Sequence, residues 1–172
     1  MEYDSLLQNM AERWDMTPAQ LENVMGRISY HESKDDPYVY QTSGGPGRGL
    51  FQFEEGDAQG GATAANRLIT TLGDTPDWLA PFVDSSGTVK NINASKLTPE
   101  QQKMLFLGNY RQHPEASLKG IDDSNVHDFW AKYHWAGAPQ GSQAYNTKVQ
   151  SFNDSQNYKN MMQNKTIDEQ AF

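Results

Sequence analysis

Glu32 places a carboxylate at the end of an apolar helical pattern, and that is where this sequence could do chemistry. It follows Ile28 by four residues and Met25 by seven, so on a helix the three side chains share one face. An apolar setting disfavours the charged form of a carboxyl group and raises its pKa. A glutamate that keeps its proton near neutral pH serves as a general acid. The same spacing also fits a helix that frays by residue 31 and leaves Glu32 as a surface or capping residue. Periodicity leaves both readings open.

The stretch "SGGPGRGLFQF" follows, with Gly44, Gly45, Gly47 and Gly49 ahead of Leu50-Phe51-Gln52-Phe53. Glycine lets another group approach the backbone closely. Neither a Gly-Lys-Ser/Thr ending nor a capped helix comes next, so this is no phosphate loop. A glycine-lined cleft with Gln52 and aromatic neighbours suits a sugar chain. Sugar hydroxyls hydrogen-bond to backbone and amide groups, and the flat faces of the rings stack on aromatic side chains. A plain surface turn ahead of a buried strand gives the same composition.

Other chemistries find little support. The chain of 172 residues has no cysteine, which excludes disulfides, thiolate metal sites and a cysteine nucleophile. His31, His113, His127 and His134 lack the spacing of a helical metal site, and no metal or cofactor is expected. Ser-His-Asp catalysis has no Gly-x-Ser-x-Gly elbow to support it. The net charge is −8 and no basic run is present, which argues against nucleic acid as a partner. No apolar run is long enough for membrane insertion.

The elements that must position these residues read as mostly α. Leu6, Leu7, Met10 and Trp14 are spaced for a first amphipathic helix. Thr17, Pro18 and Gln20 form a capping-box signature ahead of Leu21, Val24, Met25 and Ile28. Residues 57 to 73 read as a small-residue helix with Ala62, Ala65, Leu68, Ile69 and Leu72 inward and a start weakened by Gly60-Gly61. Residues 74 to 97 read as loops with short helical turns. Thr98, Pro99 and Gln101 repeat the capping signal. A further helix runs from Ser124 and stops at Gly137, with Phe129, Trp130 and Tyr133 in the core and Trp135 as a cleft aromatic. The segment "SQAYNTKVQSF" closes the domain. The expectation is one mostly α domain over residues 1 to 160, with six to eight helices and at most a small β-hairpin near residues 38 to 54. Residues 161 to 172 are expected as a peripheral C-terminal tail.

Glu32-Ser33, the glycine-rich spacer and Gly49-Leu50-Phe51-Gln52 together resemble the first two motifs of the lytic transglycosylases, the soluble-transglycosylase type related to goose-type lysozyme. Phe51 stands where the family pattern has methionine. The family's third motif, Ala-Tyr-Asn-Ala-Gly, is nearest to "KYHWAG", with Ala136-Gly137 in place and Tyr133 or His134 for the tyrosine. The resemblance covers roughly residues 15 to 155. It implies a lysozyme-like fold and cleavage of the β-1,4 bond between N-acetylmuramic acid and N-acetylglucosamine in peptidoglycan. Glu32 would be the catalytic acid and base. Ser33, Gly49, Phe51, Gln52, and Tyr133 or His134 would bind the glycan strand.

Hydrolysis of the lysozyme type needs a second carboxylate, for which Asp35, Asp36, Glu54, Glu55 and Asp57 are the candidates. The N-terminus lacks the basic and apolar regions of a secretory signal. With the resemblance, this implies a phage virion protein, made in the host cytoplasm and acting in the bacterial periplasm or wall beside other virion proteins. A muramidase, an endolysin and a catalytically idle virion component are the alternatives.

Overall fold

In the computed structural model the described residues are 1–170, with side chains described through Thr166. They form α1 (Tyr3–Arg13), α2 (Pro18–Ser33), β1 (Gly47–Arg48), β2 (Phe53–Glu54), α3 (Gly60–Leu72), α4 (Pro99–Arg111), α5 (Val126–Phe129) and α6 (Gln143–Gln170). Single 3₁₀ turns at Ala80–Phe82 and Ala94–Lys96 interrupt the loop before α4, as expected of that stretch. The described residues are thus mostly α, with one small antiparallel hairpin. Among the described residues no helix is long and apolar enough to cross a membrane. The chain divides into two compact units, residues 1 to 120 and residue 121 onward.

In the first unit the two capping signals act as read. The Thr17 hydroxyl accepts from the Gln20 N–H at 3.1 Å, and the Gln20 side chain accepts from the Thr17 N–H at 2.9 Å. Thr98 and Gln101 repeat the pair at 3.2 and 2.9 Å. Each box satisfies two otherwise orphaned amides and fixes where its helix begins. Leu6, Leu21, Met25, Ile28, Leu68, Leu105 and Phe106 form the core between the helices. In α3, Ala62, Ala65 and Leu68 are buried as expected, whereas Ile69 and Leu72 are only half-buried.

Glycine sets the closest helix packing. A Cβ on Gly108 of α4 would lie 2.5 Å from the Leu68 Cα of α3, so α4 presses its bare backbone onto α3. Gly61, read as a weak helix start, has a packing role too. A Cβ there would meet the Glu54 carbonyl and Ile92 at 3.1 Å.

In the second unit α5 passes directly into a π-helical turn, Trp130–Trp135. Phe129 and Trp130 are buried, as expected. The left-handed terminating residue is Ala136, φ +53°, one position before the expected Gly137. Gly137 is needed for room instead, because a Cβ there would come within 2.5 Å of the Trp135 indole. The Ser142 hydroxyl accepts from the Tyr145 N–H at 3.2 Å and opens α6. Tyr145 donates to the Asp128 carboxylate at 2.9 Å, and Phe152 packs on Trp130 with ring centroids 5.3 Å apart. From the expected tail, residues 161 to 170 continue α6, and residues 171 and 172 lie outside the described residues.

Candidate functional site

Helix α2 does not fray before Glu32. It runs to Ser33 and closes at Lys34, a left-handed residue with φ +56° whose N–H donates to the Tyr30 carbonyl at 2.9 Å. Asp35 adds to the cap by accepting from the Ser29 hydroxyl at 2.5 Å. Glu32 therefore sits on a formed last turn, one turn beyond Ile28, which has no exposed surface. Glu32 itself is half-buried, at the point where the apolar face of α2 comes out to solvent.

Ser33 links that turn to the glycine-rich segment. Its buried hydroxyl lies 2.9 Å from both the Ser29 and the Leu50 carbonyl oxygens. One proton serves two acceptors, so the hydroxyl is committed within the protein. It ties the end of α2 to the Gly49-Leu50-Phe51-Gln52 segment.

Three glutamine amides fill the space at three of the loop glycines. A Cβ on Gly45 would meet the Gln41 amide at 2.2 Å, one on Gly47 the Gln52 amide at 2.6 Å, and one on Gly49 the Gln102 amide at 2.2 Å. The close approach that glycine permits here is taken up by the protein's own side chains. Gln102, from α4, is almost fully buried. Its carbonyl accepts from the Leu50 N–H at 2.8 Å, and its amide donates to the Pro37 and Leu97 carbonyls at 2.8 and 3.1 Å. Gln52 has φ +53° and donates to the Gly49 carbonyl at 2.9 Å, closing the turn on itself. A non-glycine residue in the left-handed region costs of order 1 kcal/mol or more and persists where its surroundings enforce it. Phe51 is buried, with its ring 4.6 Å from Phe106, so it anchors the segment in the core.

Arg48 organises the outer side of the hairpin. It donates to Glu55 at 2.8 Å and to the Gly45 and Gly47 carbonyls at 2.8 and 2.9 Å, and its guanidinium lies 4.1 Å from the Tyr40 ring centre. Tyr110 of α4 lies close enough to Glu32 to feel its charge. Burial pushes the Tyr110 phenol well above its ordinary pKa, and the negative charge of Glu32 adds to that. Arg67 works against it and donates to Asn109 at 2.8 Å. The His113 ring stacks on Tyr110 at 6.0 Å.

The candidate second carboxylates have mostly structural partners. Glu55 is paired with Arg48, Asp35 caps α2, and Asp36 accepts from the Tyr38 N–H at 2.9 Å. Glu54 and Asp57 are exposed. Among the described residues, no three His, Asp or Glu side chains are grouped to hold a metal ion.

In the second unit, Tyr133 and His134 stand half-buried in the π-helical turn. The Tyr133 ring packs 5.5 Å from Phe129, with the Lys132 ammonium 5.1 Å from its centre. Trp135 stacks on Trp130 at 6.3 Å. This is a local distortion of the helix by one residue, a feature often found at functional positions.

No family model, curated protein or solved structure matches the chain.

Within the first unit the structure brings Glu32, Ser33, Gly49, Phe51 and Gln52 into one connected assembly. Gln102, Arg48 and Tyr110 were not among the residues read from sequence. Gln102 lies 52 positions from the Leu50 amide it holds, and no local pattern signals such a contact. Arg48 carried a sign in its position inside the glycine run, where a charged side chain is out of keeping with a flexible turn.

Proposed function

We propose that the chain is a peptidoglycan lytic transglycosylase acting through Glu32 alone. One observation carries the reading. A carboxyl on the last turn of α2, at the solvent end of a buried apolar face, is joined through Ser33 to the Gly-Leu-Phe-Gln segment.

The chemistry follows from that placement. Protonated Glu32 gives its proton to the glycosidic oxygen between N-acetylmuramic acid and N-acetylglucosamine as the C1–O bond breaks. The resulting carboxylate takes the proton of the muramic C6 hydroxyl, whose oxygen closes on C1. A 1,6-anhydro ring forms, no water is consumed, and Glu32 ends protonated. One group suffices for both transfers. Three of the five candidate second carboxylates are held in caps, turns or ion pairs, which favours this course over hydrolysis. In this account Ser33, Gln52 and Gln102 are positioning residues that keep the loop at a fixed distance from the acid.

In the proposed setting the protein is a virion component that opens the wall locally during delivery of a phage genome. Glycan strands are its substrate and other virion proteins its neighbours. The test is release of soluble fragments from purified peptidoglycan by the wild-type protein and by Glu32→Gln. The variant is expected to fold normally and lose at least about 100-fold in rate, the scale of a missing general acid. A variant with undiminished rate would refute the proposal.

A further inference from the structure

Tyr40 is more than half exposed, yet it is held from three sides. Its backbone pairs with Arg48 across an isolated antiparallel bridge, flanked by hydrogen bonds from the Gly49 N–H to the Val39 carbonyl and from the Gln41 N–H to the Gly47 carbonyl, both 2.9 Å. Residues opposed in this way project to the same face, which lays the Arg48 guanidinium against the Tyr40 ring at 4.1 Å. The phenol oxygen accepts from the Asn93 side-chain amide at 2.8 Å. Asn93 is buried and in turn accepts from the Ser95 N–H and hydroxyl at 3.0 and 2.5 Å. At its other end the guanidinium is fixed by Glu55 and two carbonyls. The ring is an exposed apolar surface immobilised by a chain of polar contacts.

We propose that Tyr40 is a substrate-binding residue, a platform on which one pyranose ring of the glycan strand stacks. This rests on the transglycosylase reading, and it adds a recognition element that the catalytic segment does not contain. Stacking on a ring already fixed avoids the ordering cost that a free tyrosine would carry. The occupant is an uncharged sugar ring rather than a nucleobase. The nearby cation is already neutralised by Glu55, and the chain carries a net charge of −8 with no basic run to hold phosphates. Tyr40 also lies on the strand paired with Gly47 to Gly49, so a sugar stacked on it lies along the hairpin that carries Gly49 to Gln52.

The experiment measures co-sedimentation with purified, insoluble peptidoglycan in the Glu32→Gln background, and KM and kcat on the same substrate in the wild-type background. Tyr40→Ala is compared with Tyr40→Leu, which keeps apolar bulk over Arg48, and with Tyr40→Phe. Thermal melts confirm folding of each. The expected result is about tenfold weaker binding and a correspondingly higher KM for the Ala and Leu variants, with kcat little changed, and the Phe variant, which keeps the ring but loses the Asn93 bond, falling between these and wild type. Folded Ala and Leu variants with unchanged affinity overturn the proposal, even where the wild-type protein makes anhydro products and the catalytic reading stands. Tyr40-dependent binding by a wild-type protein that cleaves nothing supports the platform and removes the transglycosylase reading.

Discussion

At Gly49 two demands meet in one residue. Its φ of +76° lies in the left-handed region, and its missing Cβ leaves room for the Gln102 amide at 2.2 Å from where that atom would be. Gly49→Ala is therefore expected to strain the backbone and push Gln102 off the buried Leu50 N–H. The expected loss is roughly 2 kcal/mol or more of stability, read by urea denaturation, with a fall in any glycan-cleaving activity. A change below about 0.5 kcal/mol would show that the amide clamp is not rigid. At this scale the sequence marks residues that the fold connects, while most of the side chains that fill the space between them carry no local signal. At Gly45, Gly47 and Gly49 glycine spacing reports only that something comes close, and it leaves a ligand cleft and a plain turn equally open. Of the groups that come close, Gln52 belongs to the Gly-Leu-Phe-Gln motif, whereas Gln41 and Gln102 are ordinary polar residues with no spacing of their own. The resemblance implies a role for Ser33 toward the substrate or the carboxyl, and in the fold its hydroxyl lies 2.9 Å from the Ser29 and Leu50 carbonyl oxygens.

Among the elements, the helices with side-chain caps were legible almost to the residue, since Thr-Pro-x-Gln satisfies orphan amides by local contacts alone. The π-helical turn was not. Its pattern reads as an ordinary helix through Gly137, and the wider turn and the stop at Ala136 go with the packing of Trp130 against Trp135 and Phe152, which no local spacing signals. Just beyond α4, His113 Nδ1 accepts from the Glu115 and Ala116 N–H groups at 3.1 and 2.9 Å, which requires a neutral ring. Burial, and then the charge of Arg67, hold its pKa below the ordinary 6.5. A histidine depressed in the folded state binds more protons when unfolded. Its contribution to stability is thus full above about pH 6.5 and is lost as pH falls through the lower folded value. His113→Asn, which can still accept those bonds, is expected to flatten the decline in stability between about pH 7 and pH 5. Parallel pH profiles of denaturation midpoints for the two proteins would contradict this.

For the whole molecule, charge is the property that sequence fixes most directly. A chain at −8 approaching a wall rich in peptide carboxylates is repelled at low ionic strength. As the Debye length shrinks from about 30 Å near 10 mM salt to about 8 Å near 150 mM, kcat/KM on insoluble peptidoglycan is expected to rise. A monotonic fall would point to an attractive patch instead. The mostly α class was legible from scarce strand alternation and repeated helix starts. The length of α6 was not, because its apolar positions thin out beyond Phe152, and the helix continues through residues that read as a peripheral tail.

If Glu32 performs both proton transfers without water, the mass of the product records it. Purified peptidoglycan digested by the wild-type protein is predicted to yield fragments ending in 1,6-anhydro-N-acetylmuramic acid, none of which appear with Glu32→Gln. Fragments one water heavier, with a reducing end, would contradict the account and assign the protein to the hydrolases, with Glu54 and Asp57 the first carboxylates to replace.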